Sequence, residues 1–479
     1  MKMNESKRMR RQRTGWLGVL LVGLTGCASV NLNAGFAEVG AAVEERAATR
    51  IVWNRGTELD NEAAEKLRAL LGKRFTADDA VQVAMLNNRD LQALYSDLGL
   101  AQADLVQAGL FRNPILDAAL LFPLSGVRPD LQLTVVISFL DALYVPLRKR
   151  VADARFEEAK LRVTGGVLDL AAQVRGAFYE HQANEQMLEL RQTIVQALAA
   201  SWDVSRRLHE AGNITDLDLA RDRAAAETSK LALRSAEIAL RQSRERLNDL
   251  MGVWGEQADW EIDGRLPDIP AEPLPVNGIE RVALARSIDL SEARQRIVTA
   301  GQQLGYDRAT AFIPEAEAGV EAEREEGWKV GPVFSVPIPL FDQGQARVGR
   351  AVAELRRTQQ EYYAMAVRIR ATARAVRDRM LGARDRALYY RDVLLPLQER
   401  IVNEAQLQYN AMQIGVFHVL LDRERQIEAG AAYVEVLREY WLARTDLALI
   451  SSGRLPMSNG FRMSTPGEKG RSKGGINGH

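Results

Sequence analysis

Long runs of helical periodicity dominate the chain. Apolar positions that recur every three or four residues predict a helix over Asp141–Leu208, which would extend for roughly 100 Å at about 1.5 Å per residue. A second helix is predicted to return over Asp216–Leu250. The second half of the chain repeats this pair over Gln345–Asn410 and Val416–Ile450. Pro396 lies inside the former of these two and is expected to kink it.

Short extended runs, two in each half, interrupt the helical pattern. They are Ile115–Phe122, Leu131–Phe139, Glu315–Glu323 and Val330–Leu340. The first two approach the roughly 9–11 residues that a tilted strand needs to cross a bilayer. In the third run, alanine and valine share one strand face and glutamates share the other: Glu315, Glu317, Glu321 and Glu323. This alternation is typical of a membrane barrel with a water-filled lumen, although an ordinary surface strand would also show it.

A shorter helix is predicted at the start of each half, over 76–109 and over 277–311. Thr76 with Asp79 three residues later has the pattern of a helix cap.

Pattern and composition together divide the chain into six segments. They are a signal peptide (1–26), a lipidated N-terminal strap with one short helix over 61–71 (27–76), a first structural repeat (77–250), a Trp/Pro-rich linker (251–278), a second structural repeat (279–452) and a disordered tail (453–479).

The turn between the two long helices occurs twice. His209–Arg223 and Tyr409–Arg423 align without a gap, and in each of them a polar helix stops, turns and restarts. The two copies lie 200 residues apart, and this period is too long for the repeat unit of a solenoid. We therefore interpret the chain as a duplicated half-domain with two helical hairpins.

Charge and cysteine content indicate the compartment. The formal net charge is zero, and the excess of Lys and Arg lies in residues 1–26, so no strongly basic surface remains for nucleic acid. The one cysteine, Cys27, follows a basic stretch, an apolar run over Trp16–Leu24 and the motif LTGC. This is the layout of a secretory signal peptide, and it resembles a bacterial lipobox whose cysteine is acylated. The alternative is a free thiol in an uncleaved anchor. No aspartate follows Cys27, which favours sorting to the outer membrane.

Motifs for catalysis or cofactor binding are absent from the sequence. It contains neither a glycine-rich nucleotide loop nor a His-Glu-x-x-His zinc motif, and its four histidines are scattered. We therefore predict no catalytic residues, no cofactor and no metal site, and hence no enzyme. His209 and His418 lie near the turns, where solvated histidines are the simpler interpretation.

Four strands per chain imply an oligomer. Bacterial outer-membrane barrels begin at eight strands, and open sheet edges are not tolerated in lipid. Three chains would supply about twelve strands and about twelve long helices. The predicted fold is therefore mainly α with a small β part: a 12-stranded β-barrel in the outer membrane and a long α-helical barrel in the periplasm, both formed by a homotrimer.

This organisation resembles the TolC family of outer-membrane efflux factors. The resemblance rests on the segment TADDAVQVA (76–84) with Asn87-Asn88, on PLFDQG (339–344), on the linker after Gly252 and on both turn copies, and it covers nearly everything from Cys27 to about residue 455. The segments AQADLVQAGLFRNP (101–114) and YNAMQIGVF (409–417) are similar to the CzcC-like heavy-metal efflux branch.

The resemblance implies a passive trimeric exit duct. It would dock on a periplasmic membrane-fusion adaptor and an inner-membrane pump of the RND or ABC type, and would export heavy-metal ions or small toxic compounds. The adaptor-docking tips would be Gly212, Asn213, Ile214 and Thr215 in the first copy and Gln413, Ile414, Gly415 and Val416 in the second. Family members commonly carry glycine at both tip starts, whereas this chain has Met412 at the second, so the second turn is expected to differ in shape.

Acidic residues just after the tips are candidates for a narrow periplasmic mouth. They are Asp216, Asp218, Asp222 and Asp422, with His418 opposite Asp218 in the repeat. In a trimer, such a ring of carboxylates would favour cations, whereas each residue taken alone could be a solvated helix cap or a partner of a nearby arginine. Two alternative functions remain at this point: a type I protein secretion duct, and a coiled-coil periplasmic lipoprotein scaffold that does not span the membrane.

Overall fold

The computed structural model describes residues 29–56, 58–74, 76–122, 129–262, 264–271, 277–313, 315–324 and 327–456. The predicted signal peptide, Cys27 and nearly all of the predicted tail lie outside these residues.

The described chain is mainly helical and carries a small sheet, as predicted. The elements up to the linker are α1 (Phe36–Ala47), α2 (Glu58–Leu71), α3 (Ala77–Asn87), α4 (Arg89–Gly109), β1 (Ile115–Leu121), β2 (Asp130–Ser138), α5 (Asp141–Glu210) and α6 (Asp216–Met251). After a 3₁₀ turn (Gly255–Ala258) come α7 (Ile279–Arg286), α8 (Ile288–Ala309), β3 (Glu317–Arg324), β4 (Trp328–Ser335), α9 (Gln345–Tyr389), a π-helical turn (Tyr390–Leu394), α10 (Leu395–Asn410) and α11 (Val416–Ser451).

Three helix predictions need correction. The strap contains two helices, α1 and α2, rather than one. The helices predicted over 76–109 and 277–311 are each broken once, at Asn88 and at Ser287, where the backbone is extended. Each breaking residue caps the helix that follows: Asn88 accepts a hydrogen bond from the Leu91 amide (2.8 Å), and Ser287 accepts one from the Leu290 amide (3.0 Å). The cap predicted at Thr76 is present, with reciprocal bonds between Thr76 and Asp79.

The disturbance predicted at Pro396 takes the form of the π-helical turn just before it. Proline donates no backbone hydrogen bond, and its ring crowds the carbonyl four residues earlier. One turn of wider helix relieves both problems, since the amide of Leu395 reaches back to the carbonyl of Tyr390. Beyond this turn the helix continues as α10.

The described residues fall into two compact units. The first takes its residues from Met1–Phe36, Asp97–Ala159 and Val298–Leu355, and it contains the four strands. The second takes its residues from Ala37–Ser96, Lys160–Ile297 and Arg356–His479. A hydrophobic core of the second unit joins α7, α9 and α11 to the linker, and the indole of Trp441 donates to the carbonyl of Pro267 (2.9 Å).

An ion cluster holds the end of α11 in the second unit. The guanidinium of Arg454 donates to both oxygens of Asp169 (3.0 and 2.7 Å), pairs with Asp289 and lies 4.0 Å from Glu292. The amide of Leu455 donates to Asp289 as well (2.8 Å). Burial raises the pKa of Asp289 even though the Arg454 charge opposes this change. We call these four charged residues the C-terminal ion cluster.

No helix among the described residues combines the length and the apolar character that crossing a membrane would require.

Candidate functional site

The sheet of the first unit has one apolar face and one mixed face that carries most of its polar and charged side chains, which we call the polar face. The strands pair antiparallel in the order β1-β2-β3-β4, so residues directly opposite one another share a face. Apart from Arg324, one face is apolar throughout: Leu116, Ala118, Leu120, Leu131, Leu133, Val135, Ile137, Ala318, Val320, Ala322, Trp328, Val330, Pro332 and Phe334. Most of these large side chains are exposed in the single chain. Within the described residues, β1 and β4 each pair on one side only.

The acidic residues predicted to share a strand face do so in part. Glu317, Glu321 and Glu323 lie on the polar face, opposite Ser138, Thr134 and Gln132 of β2. The prediction for Glu315 was wrong, because this residue precedes β3 and forms an ion pair with Arg112, which lies between α4 and β1. The strand predicted over 330–340 was too long at its C-terminal end, because β4 ends at Ser335.

One exposed phenylalanine marks each junction between a helix and a strand. The four are Phe111 after α4, Phe139 before α5, Phe312 after α8 and Phe341 before α9. Aromatic rings are enriched where a barrel wall meets the membrane–water interface. All four rings lie at the same end of the strands, and we call them the phenylalanine belt.

The first tip joins α5 to α6. The amides of Ala211, Gly212 and Asn213 return to carbonyls at the end of α5, and Gly212 takes a left-handed backbone (φ +75°). Thr215 then caps α6: its hydroxyl accepts from the Asp218 amide (3.2 Å) and donates to the Asp218 carboxylate (2.7 Å).

The second tip has the same turn, which corrects the expectation of a different shape. The amides of Ala411, Met412 and Gln413 bond back to Leu407, Tyr409 and Gln408, the equivalents of the partners in the first tip. Met412 adopts the left-handed backbone (φ +57°) that glycine would take more easily. The tips differ instead at the cap, because Gly415 has no side chain with which to cap α11.

The candidate mouth residues are mostly engaged within their own hairpins. Asp216 bonds the ring of His209 (2.6 Å), and Asp222 accepts from the hydroxyl of Ser205. Asp218 belongs to the cap of α6, and Asp422 pairs with Arg425 (3.3 Å). His418, in the first turn of α11, donates its backbone amide to Gly415 (3.1 Å). Their part in a closed mouth stays a prediction.

One buried histidine was not singled out from the sequence. In the second unit, His181 of α5 is 1% exposed, and its Nδ1 lies 2.8 Å from the hydroxyl of Ser243 in α6. Its ring packs edge-on against Trp260 of the linker. Neither contact has a sequence signal, since the three residues lie far apart along the chain. Among the described residues, no three His, Cys, Asp or Glu side chains come together as a metal-ligand set.

The chain is similar in sequence to known metal-resistance and efflux proteins. No family model matches the chain. It is 23% identical over 377 residues to the cobalt-zinc-cadmium resistance protein CzcC of Cupriavidus metallidurans. The aligned region covers 78% of this chain and 89% of that protein. It is 25% identical over 299 residues to the toluene efflux pump outer membrane protein TtgC of Pseudomonas putida, which covers 56% of this chain and 60% of the relative.

A solved structure gives the same fold. The CmeC outer membrane channel of Campylobacter jejuni superposes with a TM-score of 0.65 at 14% identity, which covers 80% of this chain and 86% of that one. Relatives of this kind are efflux channels rather than enzymes, in agreement with the prediction of no enzymatic activity. The predicted resemblance is therefore confirmed: the chain has the TolC-like fold, and its relatives include outer-membrane efflux proteins.

Proposed function

We propose that the chain is the outer-membrane channel of a tripartite efflux system. In this proposal it is a passive homotrimeric duct, anchored by acylated Cys27, that spans the outer membrane and meets an adaptor and an inner-membrane pump in the periplasm. The pump, of the RND or ABC type, supplies the energy.

The observation that carries the proposal is the open amphipathic sheet. An apolar face exposed to water would be unfavourable by about 25 cal/mol for each Å². In lipid the same face is favourable, but the two unpaired edges then need partners. Three copies joined edge to edge would close twelve strands and remove every edge, with the polar face lining the lumen. The phenylalanine belt fits the level at which such a barrel leaves the hydrocarbon.

The polar face supports export of cations or small polar solutes. It carries the acidic residues Asp117, Asp130, Glu317, Glu321 and Glu323 but only Lys329 as a cation, so its charge favours positive ions. The relatives named above concern resistance to cobalt, zinc and cadmium, and efflux of toluene. We therefore infer heavy-metal ions or small toxic compounds as the exported class.

A matched pair of substitutions tests the spanning sheet. Val320→Lys places a charge on the apolar face, whereas Val333→Lys places the same charge on the polar face of the neighbouring strand, opposite Gly319. A lysine on the lipid side of a barrel costs up to about 2–4 kcal/mol. We expect wild type and Val333→Lys to give SDS-resistant, heat-modifiable trimers in outer-membrane fractions and ion conductance in planar bilayers, and Val320→Lys to give neither. A wild-type chain recovered as a periplasmic monomer would refute the proposal, and so would a fully conducting Val320→Lys.

A further inference from the structure

The first unit contains a cavity of about 480 Å³ among α4, α5 and α8, near the end of these helices that meets the sheet. Three arginines line it: Arg112, which follows α4, and Arg148 and Arg155 of α5. The ring of Tyr306 and the side chain of Val151 supply apolar lining. This volume is typical of small-ligand sites, which combine apolar walls with a few polar groups. The cavity therefore has the size and the chemistry to hold a small organic molecule.

Two of the arginines are held by the protein itself. Arg148 donates to two carbonyls at the end of α4 (2.9 and 2.5 Å). Arg112 pairs with Glu315, and the guanidiniums of both arginines lie within 4.0 Å of the buried carboxylate of Asp141. These contacts fix the orientation of the two side chains and offset most of their charge. They form a rigid polar wall of the cavity.

The third arginine, Arg155, keeps its charge. Its Nη2 donates to the neutral side-chain oxygen of Gln303 (3.2 Å), and within the part of the chain that the structure describes no carboxylate lies within 4.0 Å of its guanidinium. A guanidinium binds a carboxylate through two parallel hydrogen bonds, so this side chain is suited to an anion. Asp104 of α4 also lines the cavity, and its negative charge opposes an anion there.

The cavity lies on the side of α4 that faces away from the N-terminal strap. Leu32 of the strap covers Gly99 of α4, 3.6 Å from the position that a Cβ would take there. Ala108, which lines the cavity, comes nine residues later, or about two and a half helical turns, and so points the opposite way. In the proposed duct the strap runs from acylated Cys27 in the membrane along the outer surface. The cavity then faces the lumen.

We propose that this cavity is a transient binding site, on the inner wall of the duct, for small organic anions that carry a carboxylate on an aromatic body. Arg155 would bind the carboxylate, while Tyr306 and Val151 would contact the aromatic body. The inference rests on the proposed function and deepens it, because it adds aromatic carboxylates to the exported class. Three such sites in a trimer would concentrate these solutes just before the acidic strands, whose charge alone would repel them.

Three substitutions test the site, with para-fluorobenzoate as the probe and the wild-type trimer in lipid nanodiscs as the reference. Fluorine NMR titration gives Kd. Arg155→Gln removes the charge, and we expect Kd to rise at least about tenfold. Arg150→Gln is the matched control, since Arg150 is exposed on the same helix but does not line the cavity, and Kd is expected to stay within about twofold. Asp104→Asn removes the repelling charge, and Kd is expected to fall at least about twofold.

The gain in affinity for Asp104→Asn cannot come from misfolding, and an uncharged probe isolates the role of the carboxylate. We expect para-fluorobenzyl alcohol to bind wild type and Arg155→Gln equally. An unchanged Kd of para-fluorobenzoate for Arg155→Gln, or no binding to wild type, would overturn the inference. Native mass spectrometry that finds an anionic phospholipid retained by wild type and lost from Arg155→Gln would assign the cavity to a lipid phosphate, and would also overturn it. Conductance of the same trimers tests the proposed function separately.

Discussion

Acid is expected to loosen the contact between α5, α6 and the linker at His181. The hydroxyl of Ser243 donates to the carbonyl of Leu240 (2.9 Å), so its oxygen accepts from Nδ1 of His181. The other ring nitrogen is buried without a hydrogen bond, and Glu185 is 3.9 Å away, too far to accept one. Burial, assisted by the charge of Arg244, lowers the pKa of His181 from 6.5 to about 4.

The sign and size of the effect follow from this lowered pKa. A group whose pKa is lower in the folded state stabilises the fold above its unfolded pKa, and that stability is lost as the pH falls toward the folded pKa. With a pKa of about 6.5 unfolded and about 4 folded, the loss is about 2 kcal/mol at pH 5 and approaches about 3.4 kcal/mol in stronger acid. At pH 5, about 2 kcal/mol corresponds to a roughly 30-fold larger population of any opening that exposes the ring.

Hydrogen exchange compared with a non-titrating variant measures this quantity. His181→Gln keeps a donor for Ser243 but cannot gain a proton in this range. We expect the exchange of α6 amides near Leu247 to rise roughly 30-fold more in wild type than in His181→Gln between pH 7.5 and pH 5. Comparison at each pH cancels the intrinsic rate and all other titrating groups. An equal rise in both proteins would refute the reasoning.

Three further predictions concern the sheet, the C-terminal ion cluster and the first tip. A Cβ at Gly319 would overlap the carbonyl of Val135, whereas a Cβ at Gly331 would meet open space. Gly319→Ala is therefore expected to abolish SDS-resistant trimers on gels, and Gly331→Ala is expected to preserve them. Intact trimers of Gly319→Ala would contradict this reasoning. Arg454→Met leaves Asp169 and Asp289 buried without their arginine, which is expected to cost about 3–5 kcal/mol and to be partly recovered in acid. An unchanged melting temperature by scanning fluorimetry would argue against it. Thr215→Ala removes the cap of α6 and is expected to cost about 1 kcal/mol, seen as faster exchange of its first-turn amides than in the matched surface variant Ser235→Ala.

The long helices and the strands could be predicted because their patterns extend over many residues. The helices that became α5, α6 and α11 were placed to within a few residues of their observed ends. The face of β3 was predicted from alternation alone, because side chains on a strand have a period of two. The prediction for Glu315 was wrong. Pro314 ends the helical pattern but does not interrupt the alternation, so the sequence does not mark the residue at which the strand begins. The ion pair of Glu315 with Arg112 joins residues that are far apart along the chain.

Features decided by one side chain or by distant partners were not predictable. Apolar periodicity continues across Asn88 and Ser287, so nothing in the pattern distinguishes a cap from a helical residue. The turn at Met412 was expected to change because methionine avoids a left-handed backbone, yet the hairpin contacts of the whole turn override that local preference. The clustering of Arg454 with Asp169 and Asp289 depends on tertiary structure alone.

The edge strands β1 and β4, each paired on one side only, also have a consequence for biogenesis. Before it assembled with other copies, a newly exported chain would expose two strand edges with free hydrogen-bonding groups beside an apolar sheet face. Such exposed edges promote aggregation. Its maturation would then depend on the local concentration of identical chains, and on whatever shields the strands in transit. Overproduction is consequently expected to yield inclusion bodies rather than more duct, and slow synthesis in the presence of periplasmic chaperones is expected to yield more.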